Sequence, residues 1–358
     1  FNLFVFLEIS SISAYVLIAS GPDRRALHSA YKYLIMGSIG ATFIVIGIGM
    51  LYMMTGTLNM MDLADRLPQV SSRVVSVAFA FLTVGICLKL ALFPLHLWLP
   101  DAYTFAPSAI TAFLASTATK VAVYMLLRFF FTIFGPTFSL GVMGFQAVLL
   151  PLALIAILSA SLTAIYQRNV KRLLAYSSVA QVGYMVLGIS LASVTGITAG
   201  LLHLFNHALI KAALFMAVGA VMYQVGSTRI EAMRGLGKRM PWTMAAFVLG
   251  GLSLIGVPGT VGFVSKWYLV LGAVEAGLWP IAMVVLVGSL MALVYVWRVV
   301  EAAYFQPFVG HLDIKEAPLT LLIPTWALVV ANLYFGLHST PTTGVAIRAA
   351  EVLLGVEP

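Results

Sequence analysis

The sequence predicts an all-α polytopic membrane protein, arranged as two inverted-repeat helix bundles with two discontinuous transmembrane helices. Three observations predict it. Hydrophobic residues make up 61% of the 358 positions and charged residues only 9%, with a mean hydropathy of +1.03, whereas charged residues approach a quarter of an ordinary soluble domain. Ten apolar stretches reach the roughly 20 residues that a hydrocarbon core demands. Two of the ten are broken by proline and glycine, each with a lysine near the break. Paired breaks of this kind, one in each half, mark an inverted-repeat architecture with ionisable groups at mid-membrane.

The stretches fall near 1–19, 33–54, 74–98, 107–134, 143–166, 173–192, 195–224, 242–275, 280–305 and 317–337. The first opens on Phe1 inside an apolar run, without initiator methionine, charged leader or cleavage site, and reads as a fragment lacking N-terminal helices. In the second, IGIGM at 46–50 serves close helix packing. The third, GICLKLALFPLHLWLPDA, is interrupted at Pro94, which removes a backbone donor and clashes with the preceding turn; Pro100 ends it. The fourth starts at APSAI and carries Lys120, and the basic run at 168–172 separates the fifth from the sixth. The seventh reads LLHLFNHALIKAALFMAVGA. The eighth is interrupted at Pro258-Gly259, between Gly256 and Gly262, with Lys266 beyond. Irregular backbone at that depth needs protein or water around it. The ninth and tenth are continuous, and the residues after them form a tail.

Basic residues test this count. Four lysines, Lys89, Lys120, Lys211 and Lys266, lie inside the stretches. Of the rest, the loops after the first, fifth, seventh and ninth stretches hold twelve, and the other side holds Arg66, Arg73, Arg128 and Arg348. The positive-inside bias makes the richer side cytoplasmic, with Phe1 and the tail facing away. A miscounted helix scrambles such a split.

Composition also excludes function classes. The net charge of +8 comes without any long basic run, and lysines within apolar helices cannot reach a phosphate backbone, so no nucleic-acid partner is expected. The single cysteine, Cys87, rules out an internal disulfide framework or a multi-cysteine metal site. No phosphate loop, HExxH or nucleophile elbow occurs, and His203 and His207 lack an adjacent carboxylate or cysteine; no metal, cofactor or catalytic site of its own is expected.

An ammonium at the bilayer centre costs about 2.5–3.5 kcal/mol on insertion scales, so four oppose insertion by roughly 10–14 kcal/mol unless water or partners compensate. All 12 arginines, by contrast, stand in loops or near helix ends. Arginine keeps its proton in any protein environment, whereas a desolvated lysine can exchange one. The buried basic groups are all of the exchangeable kind, which points to proton movement.

His203, His207 and Lys211 are spaced i, i+4, i+8 and stack along one helix face over about 12 Å. Three titratable groups in register favour a relay over hydrogen-bonding glue between helices. Glu8, mid-way along the first stretch, is either paired with a buried lysine or protonated and bonded to Ser11 one turn on; spacing does not choose its partner. His96 either extends a proton path beyond Lys89 or caps the interrupted helix. Asp101 reads as a helix N-terminal charge, and Glu275 and Glu301 as solvated helix-end groups.

FPLHLWLPDAYTFAPSAITAFLASTATKVAVYMLLRF at 93–129, with HLFNHALIKAALF and PGTVGFVSKWYLVLGAVEAG further on, resembles the signature blocks of the proton-translocating antiporter family. That family is shared by Mrp-type sodium/proton antiporter subunits, among which the resemblance is to those of type D, and by antiporter-like subunits of respiratory complex I. The resemblance covers essentially all of the chain. It implies that Glu8 pairs with Lys89 of the first broken helix, that Lys120 bridges to the next group, that His203, His207 and Lys211 lead into the second half, and that Lys266 is the terminal ionisable residue. It implies a first half at 1–134, a second at 135–305, and a final transmembrane helix and tail at 306–358.

The expected function is that of an ion-translocating subunit of a multisubunit monovalent cation/proton antiporter. Its expected partners are other subunits of that complex, protons, a monovalent cation (sodium by resemblance) and the lipid bilayer of a bacterial or archaeal inner membrane. The alternative is a proton-pumping subunit of respiratory complex I, NADH-quinone oxidoreductase.

Overall fold

The computed structural model describes residues 1–70, 72–308 and 314–356. Among these residues the regular structure is helical, apart from an isolated bridge between Asn169 and Arg229. The helices run in the order α1 (Asn2–Ala19), α2 (Arg24–Thr55), α3 (Met60–Arg66), α4 (Arg73–Lys89), α5 (Trp98–Phe105), α6 (Ser108–Leu127), α7 (Gln146–Ile165), α8 (Val170–Ser190), α9 (Val194–Val225), α10 (Leu236–Arg239), α11 (Pro241–Ile255), α12 (Val261–Glu275), α13 (Trp279–Phe305), α14 (Leu319–Leu337) and α15 (Thr340–Leu354). Eight of them are long and apolar enough to cross a membrane, α6 among them with its continuation to Ile133. The remaining two expected elements are the interrupted ones, α4 with α5 and α11 with α12.

Caps set lengths that hydropathy underestimates. Helix α2 begins at Arg24 because the Asp23 carboxylate accepts from the Arg25 amide at 2.9 Å, and it ends where Gly56 turns left-handed at φ 71°. Helix α9 is bounded the same way by Ser193, whose hydroxyl accepts from the Gly196 amide at 3.0 Å, and by Gly226. The tail expected after the tenth element is instead the helix α15, packed against α9. Its buried Thr343, Ala346 and Ala350 line one face, and it is too short and polar to register as a span.

Helix α9 is the hub, packing against α6, α8, α11, α12, α14 and α15. The apolar core around it divides by depth. One layer contains Ile18 of α1, Tyr33 of α2, Leu114 of α6, Val179 of α8, Leu214 of α9 and Tyr295 of α13; the other contains Leu7, Ile44, Val123, Val182, Ala199 and Val285 of the same helices. The first layer lies toward the basic loops. Along α1, α6, α8, α9 and α13, polar groups lie between the residues of the two layers: Glu8 and Ser11, Lys120, Gln181, His203 and His207, and Ser289.

Candidate functional site

The first break places a lysine where a helix has run out of partners. Helix α4 ends at Lys89, the chain turns through Ala91 in the left-handed region at φ 59°, and α5 resumes at Trp98. A non-glycine residue there costs on the order of 1 kcal/mol, which the fully buried surroundings of Ala91 enforce. The Trp98 indole N–H donates to the Leu88 carbonyl at 3.0 Å, joining the two half-helices. Lys89 Nζ donates to Glu8 Oε1 at 2.6 Å and to Ser11 Oγ at 2.9 Å. Of the two readings open for Glu8, the pair is the one found: the Ser11 hydroxyl donates to the Leu7 carbonyl at 2.8 Å, leaving the carboxylate to the lysine. A cavity of about 470 Å³ between α1 and α6, bordered by Ser10, Ser11, Tyr33 and Thr117, reaches this lysine.

The second break uses different chemistry. Lys266 Nζ donates to the carbonyls of Leu254 and Ile255 at 3.1 and 2.8 Å and to Ser289 Oγ at 2.9 Å. The carbonyls are the last of α11, unpaired within the helix and at the negative end of its dipole, so they attract a cation without any carboxylate. Gly256, at φ 94°, and Gly262 make the approach possible: a Cβ on Gly262 falls 1.7 Å from the Ser253 carbonyl oxygen. Lys266 Nζ also lies 5.0 Å from the centre of the Tyr184 ring. A cavity of about 390 Å³ bordered by Gly256, Trp267 and Ser289 opens onto it.

Between the breaks the groups are sealed. His203 Nδ1 is 2.9 Å from Ser265 Oγ, and its Nε2 is 2.9 Å from Gln181 Oε1. The His207 ring lies nearly parallel to it, centroids 6.3 Å apart. His207 is fully buried and neither ring nitrogen has a protein partner among the described residues. Lys120 donates to the Ala115 carbonyl and lies within electrostatic reach of His203, His207 and Lys211. Lys211 donates to the Leu174 carbonyl at 2.8 Å and to the Ser177 hydroxyl.

Depth sorts these residues. Glu8, Lys120, His203, His207 and Lys266 lie along their helices between residues of the two apolar layers, Lys89 lies beside Cys87, Leu90 and Leu92 of the layer farther from the basic loops, and Lys211 beside Ile210 and Leu214 of the nearer one. The i, i+4, i+8 ladder climbs about 12 Å along α9, with Lys211 at its end nearer the basic loops and within electrostatic reach of Lys120 and His207.

His96 is buried against Phe93, ring centroids 5.4 Å apart, with Nδ1 unpartnered. It neither contacts the Lys89 ammonium nor caps α5, which has no side-chain cap. Asp101 lies in the first turn of α5 as expected, but it also holds Lys32 of α2 at 2.9 Å and Arg172 of α8 at 3.3 Å. Lys171, expected as a loop cation, is buried and donates to the Ala106 carbonyl at 2.6 Å, at the end of α5.

Gln181, Ser177, Ser265 and Ser289 contribute to the site without having been singled out in the sequence. Their signal was weak because hydroxyls in apolar helices commonly bond their own backbone, as Ser178 and Ser190 do.

Residues 1–292 match the family described as NADH:quinone oxidoreductase/Mrp antiporter, TM. NADH-quinone oxidoreductase subunit N of Desulforudis audaxviator is 45% identical over 368 residues, covering 98% of this chain and 72% of that protein. A D-type Na(+)/H(+) antiporter subunit of Alkalihalophilus pseudofirmus is 32% identical over 362 residues, covering 99% and 71%. The fold superposes on a chain of the membrane-bound sulfane sulfur reductase, an archaeal respiratory membrane complex, with a TM-score of 0.91, 35% identity and coverage of 99% and 71%.

Proposed function

The chain belongs to the NADH:quinone oxidoreductase/Mrp antiporter transmembrane family, and from that premise we propose that it is an ion-translocating subunit of a multisubunit membrane complex, exchanging protons for a monovalent cation. Protons move laterally through Glu8 and Lys89, Lys120, the group of His203, His207 and Lys211, and Lys266. A division into halves at 1–134 and 135–305 fits this reading, since each half contributes one broken helix and two membrane lysines, Lys89 and Lys120 in the first and Lys211 and Lys266 in the second. The complex resides in a bacterial or archaeal inner membrane, with the basic loops cytoplasmic.

The observation that carries this reading is the succession of buried titratable groups from one broken helix to the other, near where the two apolar layers meet. Like charges confined there repel strongly in low dielectric, so a proton gained at one end favours release at the other. The end lysines border cavities and the central histidines are fully buried, which suits exchange at the ends and transfer within. Glu8 biases Lys89 by charge, and its removal sends the added proton elsewhere.

A second reading is favoured by identity: the 45% relative is a quinone oxidoreductase subunit and the 32% relative an antiporter subunit. In that case the same row is driven by redox chemistry in other subunits. Purification of the complex from its native membrane decides between them, with co-purifying redox cofactors favouring the oxidoreductase and sodium-dependent proton exchange in vesicles favouring the antiporter. Undiminished ion movement after Lys89→Ala sinks both.

A further inference from the structure

On the face that carries the basic loops, the turns following α1, α5, α7 and α9 converge on two adjoining cavities of about 380 and 440 Å³. Three of the cations bordering them are engaged: Arg25 pairs with Asp23 at 2.6 Å, Arg172 is shared with Asp101 at 3.3 Å, and Lys171 holds the Ala106 carbonyl. Arg168 and Arg229 are exposed, and their guanidinium groups have neither a hydrogen bond nor an ion pair among the described residues.

Their backbones are nonetheless fixed. The Val170 amide donates to the Thr228 carbonyl at 2.8 Å and the Ile230 amide to the Arg168 carbonyl at 2.9 Å. The Asn169 side chain donates to the Thr228 hydroxyl at 2.9 Å. Two idle guanidinium groups are thus held on a rigid frame at the N-terminus of α8, whose dipole adds positive potential. Tyr166 at the end of α7 and Tyr223 near the end of α9 are 75% and 69% exposed, the position of interfacial aromatics at headgroup depth.

We propose that this paired cavity binds a phosphate group, carried by an anionic lipid headgroup. Guanidinium forks match phosphate oxygens in geometry and charge, and basic pockets at the cytoplasmic end of transmembrane helices recruit anionic headgroups. The site is separate from the ion row and rests on neither reading of the function.

The test is native mass spectrometry of the protein purified with its membrane complex, titrated with phosphatidylglycerol, with phosphatidylcholine and with sodium phosphate. Phosphatidylglycerol is expected to bind roughly tenfold more tightly than phosphatidylcholine, about 1.4 kcal/mol. The preference should vanish in R168Q/R229Q, persist in part in R168K/R229K, which keeps charge but loses the fork, and remain in R234Q/K238Q on the same face. Persistence of bound phosphatidylglycerol against millimolar phosphate assigns the site to lipid; displacement assigns the same phosphate chemistry to a soluble source. Unchanged lipid preference in R168Q/R229Q overturns the proposal, and if that variant also sheds partner subunits on native gels the cavity is a protein dock instead.

Discussion

Ser265 lies 2.9 Å from Nδ1 of His203 and immediately precedes Lys266, so one hydroxyl joins the central histidines to the second broken helix. With Nε2–H donating to Gln181 Oε1, the hydroxyl donates to the unprotonated Nδ1 of neutral His203, and protonation of Nδ1 reverses this bond. Ser265→Ala is expected to slow transport severalfold, consistent with the roughly 0.5–1.5 kcal/mol of a single hydrogen bond, and to shift its pH optimum. Ser265→Thr, which retains the hydroxyl, should keep the wild-type profile. Proton uptake by vesicles across a pH series separates the two.

Lys89→Ala should abolish transport while the complex still assembles, since it removes the titratable group at the first break. Glu8→Gln should be nearly as severe: the 2.6 Å pair is half-enclosed, and loss of one partner leaves a desolvated charge. Ion-driven dye quenching in everted vesicles above roughly a quarter of wild type in Lys89→Ala would contradict a role at the rate-determining path.

At the other end, Lys266→Arg keeps the positive charge facing the α11 carbonyls but removes the ability to release a proton. Turnover should fall across pH 6–9 with assembly intact. Normal activity in this variant means that Lys266 acts by fixed charge alone.

His207 offers the clearest separation between relay and glue. Neither of its ring nitrogens bonds protein among the described residues, so a glutamine has no hydrogen bond to restore there. Both His207→Ala and His207→Gln are expected to be impaired but assembled; a fully active glutamine variant on a normal native-gel background refutes the relay.

The orientation is checked by thiol labelling. Single cysteines placed at 21, 168 or 228 should resist membrane-impermeant reagents in intact cells, while one at 64 should react. The loops at 21–25, 166–172 and 226–231 border shared cavities, so they must label as one group, and a split pattern dismantles the assigned topology.

Much of the fold was legible because a bilayer constrains length and charge severely. Spans of about 20 apolar residues, breaks at Pro94 and Pro258-Gly259, and the one-sided basic loops are all one-dimensional signals. Helix α15 escaped because its apolar face is three small positions, Thr343, Ala346 and Ala350, too few to register as hydropathy. The bridge from Asp101 to Lys32 and Arg172 escaped because its members are far apart in sequence.

The sequence by itself determined which side chains could exchange protons and which helices were broken, since these depend on residue type and local backbone chemistry. The tertiary structure decided their partners and their depth. Lys89 found a carboxylate and Lys266 the carbonyls of a helix end, a difference set by which neighbouring element each break packs against. The depth of each turn of α9 was likewise a tertiary outcome, because a helix spanning the membrane carries successive turns along the normal, and only the packing of α9 among its neighbours shows which apolar layer each turn meets.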